Sequence, residues 1–182
     1  MMTSAEAFEA LNELLEQEKK VEHYPLIDIE DDTEPQKMVI LFGKDNPITI
    51  EGELIFYNGS LETRCFYGEE VSNCLREMSD IQKMQLLELV NFINAYVFPP
   101  YIPFTPRFYM TVDGYYDLTM TTIIPYSILD EDSEDEIGEY ITRYCPKLLD
   151  QLAIPLFSVY AVGECAENAI DYIKHYILKE EQ

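Results

Sequence analysis

Basic residues are scarce in this chain. Only 12 Lys+Arg stand against 35 Asp+Glu, a formal net charge of −23 over 182 residues. Direct nucleic-acid binding depends on clustered Lys and Arg that neutralise phosphates, so that class is excluded. Anionic membrane surfaces are disfavoured on the same ground. Glycine is also sparse, at seven residues. None of these forms G-x-G-x-x-G or a P-loop, which removes the glycine-rich phosphate cradles. The four cysteines, Cys65, Cys74, Cys145 and Cys165, include no C-x-x-C pair, and neither His23 nor His175 stands at a zinc-type spacing from them. Free thiols in a reducing compartment follow. No window reaches the about 20 apolar residues of a membrane span. The longest apolar run, Leu148 to Val162, is interrupted by Asp150, Gln151 and Pro155. The opening Met1-Met2-Thr3-Ser4-Ala5-Glu6 lacks the basic and apolar regions of a signal peptide. A cytoplasmic protein without metal or cofactor is the expectation.

What is present points to a packed domain. Hydrophobic residues make up 47% and aromatics 13%, too much for an acidic disordered tail. The length suits one domain over residues 1–182, large enough to bury its own core.

Thr3 to Lys20 reads as a helix. Thr3 and Glu6 form a capping box, Ala7, Phe8, Leu11, Leu14 and Leu15 recur at helical spacing, and Lys19-Lys20 close it. Val21 to Gln36 reads as a connector with room for a short strand around Leu26 to Ile29. Three strands follow, Met38 to Phe42, Ile48 to Tyr57 and Leu61 to Tyr67, the last two joined by the hairpin signal Asn58-Gly59. Ile48, Ile50, Gly52, Leu54 and Phe56 share one parity and should face the core. Glu69 to Phe98 reads as a long helix with a break near Ser79-Asp80. Ile81, Met84, Leu87, Leu89, Val90, Phe92, Ile93 and Tyr96 cover it too widely for a surface stripe, so it should be central and largely buried. A second hairpin, Arg107 to Val112 and Tyr115 to Ile124, turns at Asp113-Gly114. The tail, about 133–180, reads as helical, with a capping box at Ser133 and Glu136, a bend or restart at Pro146 and a break at Gly163. Strands and helices in separate runs predict an α+β fold, in the order α-βββ-α-ββ-α with a C-terminal helical extension. The sheet should hold about five antiparallel strands, a three-stranded meander plus a hairpin.

The chemistry-bearing candidates are thin. Asp28, Glu30, Asp31 and Asp32 sit in a loop, and Asp130 to Glu136 in a loop and a first helical turn, positions where carboxylates are solvated. The run Asp130, Asp132, Glu134 imitates the start of a calcium loop, but Asp135 stands where glycine is needed and Ile141 where a bidentate Glu is needed. The aromatic stretch stands out. Tyr96, Phe98, Tyr101, Phe104, Phe108, Tyr109, Tyr115, Tyr116 and Tyr126 fall within 31 residues. Two readings of it are open: these rings cover a small sheet, or some of them form a partner surface. The partner-binding candidates are Tyr101, Phe104, Tyr109, Tyr115 and Tyr116.

Three strings carry a family resemblance: Leu89-Val90-Asn91-Phe92-Ile93-Asn94, Phe108-Tyr109-Met110-Thr111-Val112-Asp113-Gly114 and Glu164-Cys165-Ala166-Glu167-Asn168-Ala169-Ile170. With the element order, they resemble the YbjN-like family of bacterial proteins, which share the fold of type III secretion chaperones. The resemblance spans roughly Thr3 to Ile170. It implies an acidic protein that binds extended partner segments, a homodimer, and no catalytic residues.

The expected function is therefore a non-enzymatic, acidic protein-binding module, chaperone- or regulator-like, with a basic or electropositive protein partner. The alternative is an immunity-type inhibitor of a basic toxin. An enzyme with scattered carboxylates stands below both.

Overall fold

The computed structural model describes residues 2–18, 21–26, 35–42, 49–69, 77–98, 105–111, 118–129 and 134–179. The strands are β1 (Val21–Leu26), β2 (Gln36–Phe42), β3 (Ile50–Phe56), β4 (Ser60–Tyr67), β5 (Arg107–Met110) and β6 (Leu118–Pro125). They form one antiparallel sheet in the order β1-β2-β3-β4-β6-β5. The helices are α1 (Ser4–Gln17), α2 (Asp80–Phe92), α3 (Glu134–Glu139), α4 (Cys145–Phe157) and α5 (Ala166–Tyr172). The last four each run on into a wider π turn, at Ile93–Val97, Tyr140–Tyr144, Ser158–Val162 and Ile173–Ile177.

The α+β class holds, and the sheet carries six strands instead of about five. The additional strand is β1, at Val21–Leu26; of the strand expected around Leu26 to Ile29, only Leu26 lies within the described residues. Its sequence, Val-Glu-His-Tyr-Pro-Leu, hides it, because proline counts against a strand. At a sheet edge that objection fails, since the strand needs partners on one side only. The antiparallel alternation turns the backbone groups of Val21, His23 and Pro25 to the outer rim. There the Val21 N–H donates to the Glu18 carbonyl at 3.2 Å, and Pro25 has no N–H to give.

The opposite edge is closed differently. Asn94, in the π turn after α2, accepts from the Phe108 N–H at 2.8 Å and donates to the Phe108 carbonyl at 2.6 Å. One side-chain amide thus pairs with β5 as a neighbouring strand would.

Strand parity sorts the two faces. The cross-strand row His23, Ile40, Gly52, Cys65, Met120 and Phe108 lies on the face the helices cover. As expected, Ile50, Gly52, Leu54 and Phe56 share it. Phe8 of α1 meets Phe56 edge-on at 5.1 Å, and the Tyr67 hydroxyl donates to the Leu149 carbonyl of α4 at 2.5 Å. The Thr122 and Tyr140 hydroxyls meet at 2.5 Å. The core lies between this face and one layer of helices, with Leu11, Leu15, Leu54, Leu61, Leu86, Leu149, Leu152 and Leu156 fully buried.

The Thr3–Glu6 capping box forms as read, and a second one starts α2, with Ser79 accepting from the Gln82 N–H. The break near Ser79-Asp80 is that helix start. Gly163 ends the turn after α4 at φ +80°, a left-handed conformation that suits glycine. Pro146 takes the first turn of α4 without interrupting the chain's helical path. Lys19-Lys20, the Asp113-Gly114 turn, Ser133 and the acidic loops at 27–34 and 130–133 lie outside the described residues.

Candidate partner-binding surfaces

Of the five aromatic candidates, Tyr101, Phe104, Tyr115 and Tyr116 lie outside the described residues. Tyr109 is described. It stands half-buried on β5, opposite Thr119, on the face of the sheet away from the described helices. The next row on that face runs Tyr24, Val39, Glu53, Arg64, Thr121 and Arg107. At its centre Arg64 binds Glu62 at 2.8 Å and its cross-strand neighbour Glu53 at 3.3 Å. The Thr121 hydroxyl also donates to Glu62, at 3.2 Å. Burial, followed by the charge of Glu62, pushes the Tyr57 phenol up. Among the described residues of this face, Glu22, Glu51, Glu53 and Glu62 face Lys37, Arg64 and Arg107. Its charges therefore nearly balance, although the whole chain carries −23. Ile55 and Thr119 on this face are each only 3% exposed. Among the described residues, the sheet face around Tyr109 is thus knit and near-neutral.

The second surface is one that periodicity misread. α2 was expected to be largely buried. Leu86, Leu89, Val90, Ile93 and Val97 do face the core. Ile81, Met84, Leu87 and Tyr96 are instead 75%, 69%, 44% and 65% exposed. The helix is apolar on two faces, and the fold supplies a covering layer for one. Counting apolar residues cannot distinguish a helix between two layers from a helix whose far side meets solvent.

Two glutamines fix what lies beside this outer face. Gln82 donates to the Tyr160 carbonyl at 3.5 Å, and Gln85 accepts from the Ala166 N–H at 2.7 Å. The turn from α4 to α5 is thereby held along α2, bringing exposed Val162 and the exposed carboxylates Glu164 and Glu167 alongside. On α2 itself Asp80 and Glu88 are exposed, one helical turn before and after Met84. At the far end Lys174 reaches over the Phe92 ring, 5.7 Å from its centroid, and Phe92 stacks on Tyr96 at 4.9 Å. No sequence feature marked Val162 or these glutamine hooks, because both depend on contacts about 80 residues apart.

The interior holds little reactive chemistry. Buried Cys65 and Cys145 line a cavity of about 10 Å³ with Ile40, Leu54 and Ile141. Room for a single water is the most this offers. Burial pushes both thiols up, Cys145 to about 12, so neither is a thiolate near neutral pH. His23 Nε2 lies 3.2 Å from Asn12 Oδ1, and His175 packs edge-on against Tyr176. Among the described residues no group of three or more His, Cys, Asp or Glu is placed to hold a metal ion. Among them, too, no helix is long and apolar enough to cross a membrane.

No protein-family model matches the chain, and no curated protein or solved structure does. The YbjN-like resemblance therefore rests on its short strings, since β1 makes four strands before α2 where that order has three. Their described residues fall across the end of α2 and its π turn, on β5 and the residue after it, and at the start of α5.

Proposed function

We propose that this chain is a non-enzymatic, acidic protein-binding module, chaperone- or regulator-like, whose contact surface is the outer face of α2. The observation that carries this reading is the second apolar face of α2, where Ile81 and Met84 stand mostly in solvent. Burying a side chain of that size stabilises by about 1.5–3 kcal/mol, so a partner covering both gains substantially. The net charge of −23 favours an electropositive partner and repels acidic ones.

The test is affinity capture from native lysate on wild-type protein and on an Ile81→Asp/Met84→Asp variant. The expected result is a protein retained by the wild type, released by moderate salt and absent from the variant. Equal capture by both proteins, or none by either, overturns the reading.

A further inference from the structure

We infer that the outer face of α2 receives a basic amphipathic helix from another protein. This rests on the protein-binding reading and adds the chemistry of the partner.

Partner shape follows from what the surface lacks. A strand partner needs an open sheet edge, and each edge is partly obstructed. Asn94 already occupies the N–H and carbonyl of Phe108 on β5. On β1 the outward position at Pro25 has no donor, and the Val21 N–H is held by Glu18. The α2 backbone is satisfied within the helix, so its outer face offers side chains only. Ile81 and Met84 open this face and Tyr96 closes it about 22 Å further on at 1.5 Å per residue, with exposed Glu88 and Asn91 between them. A helix with apolar residues at i, i+3, i+4 and i+7 lays a matching stripe along that length. The flexible thioether of Met84 adapts to partner side chains of different shape.

Partner charge follows from the rim. Asp80, Glu88, Glu164 and Glu167 are all exposed around Ile81, Met84 and Val162. Lys174, over Phe92 at the far end, pairs with Asp171 at 3.6 Å and so offsets none of these four. Lys and Arg flanking the apolar stripe of an incoming helix meet these carboxylates. A second copy of this chain brings the same carboxylates against them and another −23 of charge. Charge complementarity therefore selects a basic partner over self-association.

The experiment uses the full chain and a labelled Leu–Lys peptide of about 14 residues, about 21 Å long as a helix. One control has the same composition scrambled so that no apolar face forms. A second has Glu in place of Lys. Binding is read by fluorescence anisotropy at about 150 mM salt, where exposed charges are screened beyond about 8 Å. The amphipathic Leu–Lys peptide should bind, and both controls should bind at least about tenfold more weakly, a difference of about 1.4 kcal/mol. Ile81→Asp/Met84→Asp should abolish the preference, Glu88→Lys should reduce the salt dependence, and Ile123→Asp on the sheet face should change neither. Equal binding of the scrambled peptide means charge alone and overturns the inference. So does wild-type self-association relieved by Met84→Asp, which makes a second copy the occupant. If lysate capture depends on Ile81 and Met84 but the peptide neither binds nor competes, the protein-binding reading stands and the basic helix is wrong.

Discussion

Two tyrosines of similar burial make opposite demands on their hydroxyls. The Tyr67 hydroxyl donates to the Leu149 carbonyl and ties β4 to α4. The Tyr126 hydroxyl is buried and finds no hydrogen-bond partner among the described residues. Removing a satisfied hydroxyl loses its bond, whereas removing an unsatisfied one removes only a desolvation cost. Tyr67→Phe should therefore destabilise by about 1 kcal/mol, and Tyr126→Phe should be neutral or stabilise by up to about 1 kcal/mol. Urea denaturation with an unchanged slope checks both, and equal effects would contradict the assignment. The same buried acids set an alkaline limit. Burial first of all raises Cys65, Cys145, Tyr67, Tyr126 and Tyr140, with Cys145 and Tyr126 pushed up to about 12. In the unfolded chain the thiols ionise near 9.0 and the phenols near 10.0. Above those values the unfolded state has lost protons that the folded state keeps, so stability falls as pH rises. Stability should be intact below pH 9 and decline steadily from there towards pH 12, by about 1.4 kcal/mol per fully buried acid per pH unit. Melting temperatures across that range check the slope. Phenolate absorbance from Tyr67 and Tyr140 should appear only with unfolding.

At the scale of elements, the π turn after α2 is where helix and sheet are joined. It delivers Asn94 to both polar groups of Phe108. Asn94→Ala leaves that N–H and that carbonyl without their partner, and the expected loss is about 2–3 kcal/mol. Hydrogen exchange at the Phe108 amide should accelerate more than at the central strands, and unchanged exchange would show that the amide is held by other means. Much of this architecture is written locally. Thr3 with Glu6, the β3–β4 hairpin at Asn58-Gly59, the parity of β3 and the break at Ser79 all act within a few residues, and all were readable; the turn at Asn58-Gly59 is nevertheless not the type I′ expected, since neither residue takes a positive φ. The Asn94 bridge crosses 14 positions with no pattern between them. Likewise β1 is a strand because an edge tolerates Pro25, and which strand becomes an edge is decided by the whole sheet. The exposed face of α2 was missed for a related reason. Aromatic density singled out the segment around Tyr109, whereas exposure depends on how many layers the fold stacks. One helical layer covers one face of α2 and leaves Ile81 and Met84 outside it.

Charge belongs to the whole molecule. Described ion pairs such as Arg64 with Glu53 and Glu62, or Arg143 with Glu18 and Glu139, use cations of which the chain has only 12 in total. Most of the 35 carboxylates therefore repel one another across the folded surface. Compaction brings them closer than they are in the unfolded chain, so repulsion opposes folding. It also works against the homodimer that the family resemblance implies. Raising sodium chloride from about 10 mM to about 150 mM shortens the screening length from about 30 Å to about 8 Å. Contacts within ion pairs weaken only slightly over that change, while long-range repulsion is largely removed. The melting temperature should rise with salt, by about 2–4 °C for each kcal/mol of repulsion relieved. The rise should flatten near physiological ionic strength and be the same with choline chloride, since it depends on screening and not on the cation. A rise seen with sodium but not with choline would indicate a specific cation site. A fall with both salts would mean that the few ion pairs outweigh the acidic excess, and that the folded protein does not carry the unscreened field on which selection of a basic partner depends.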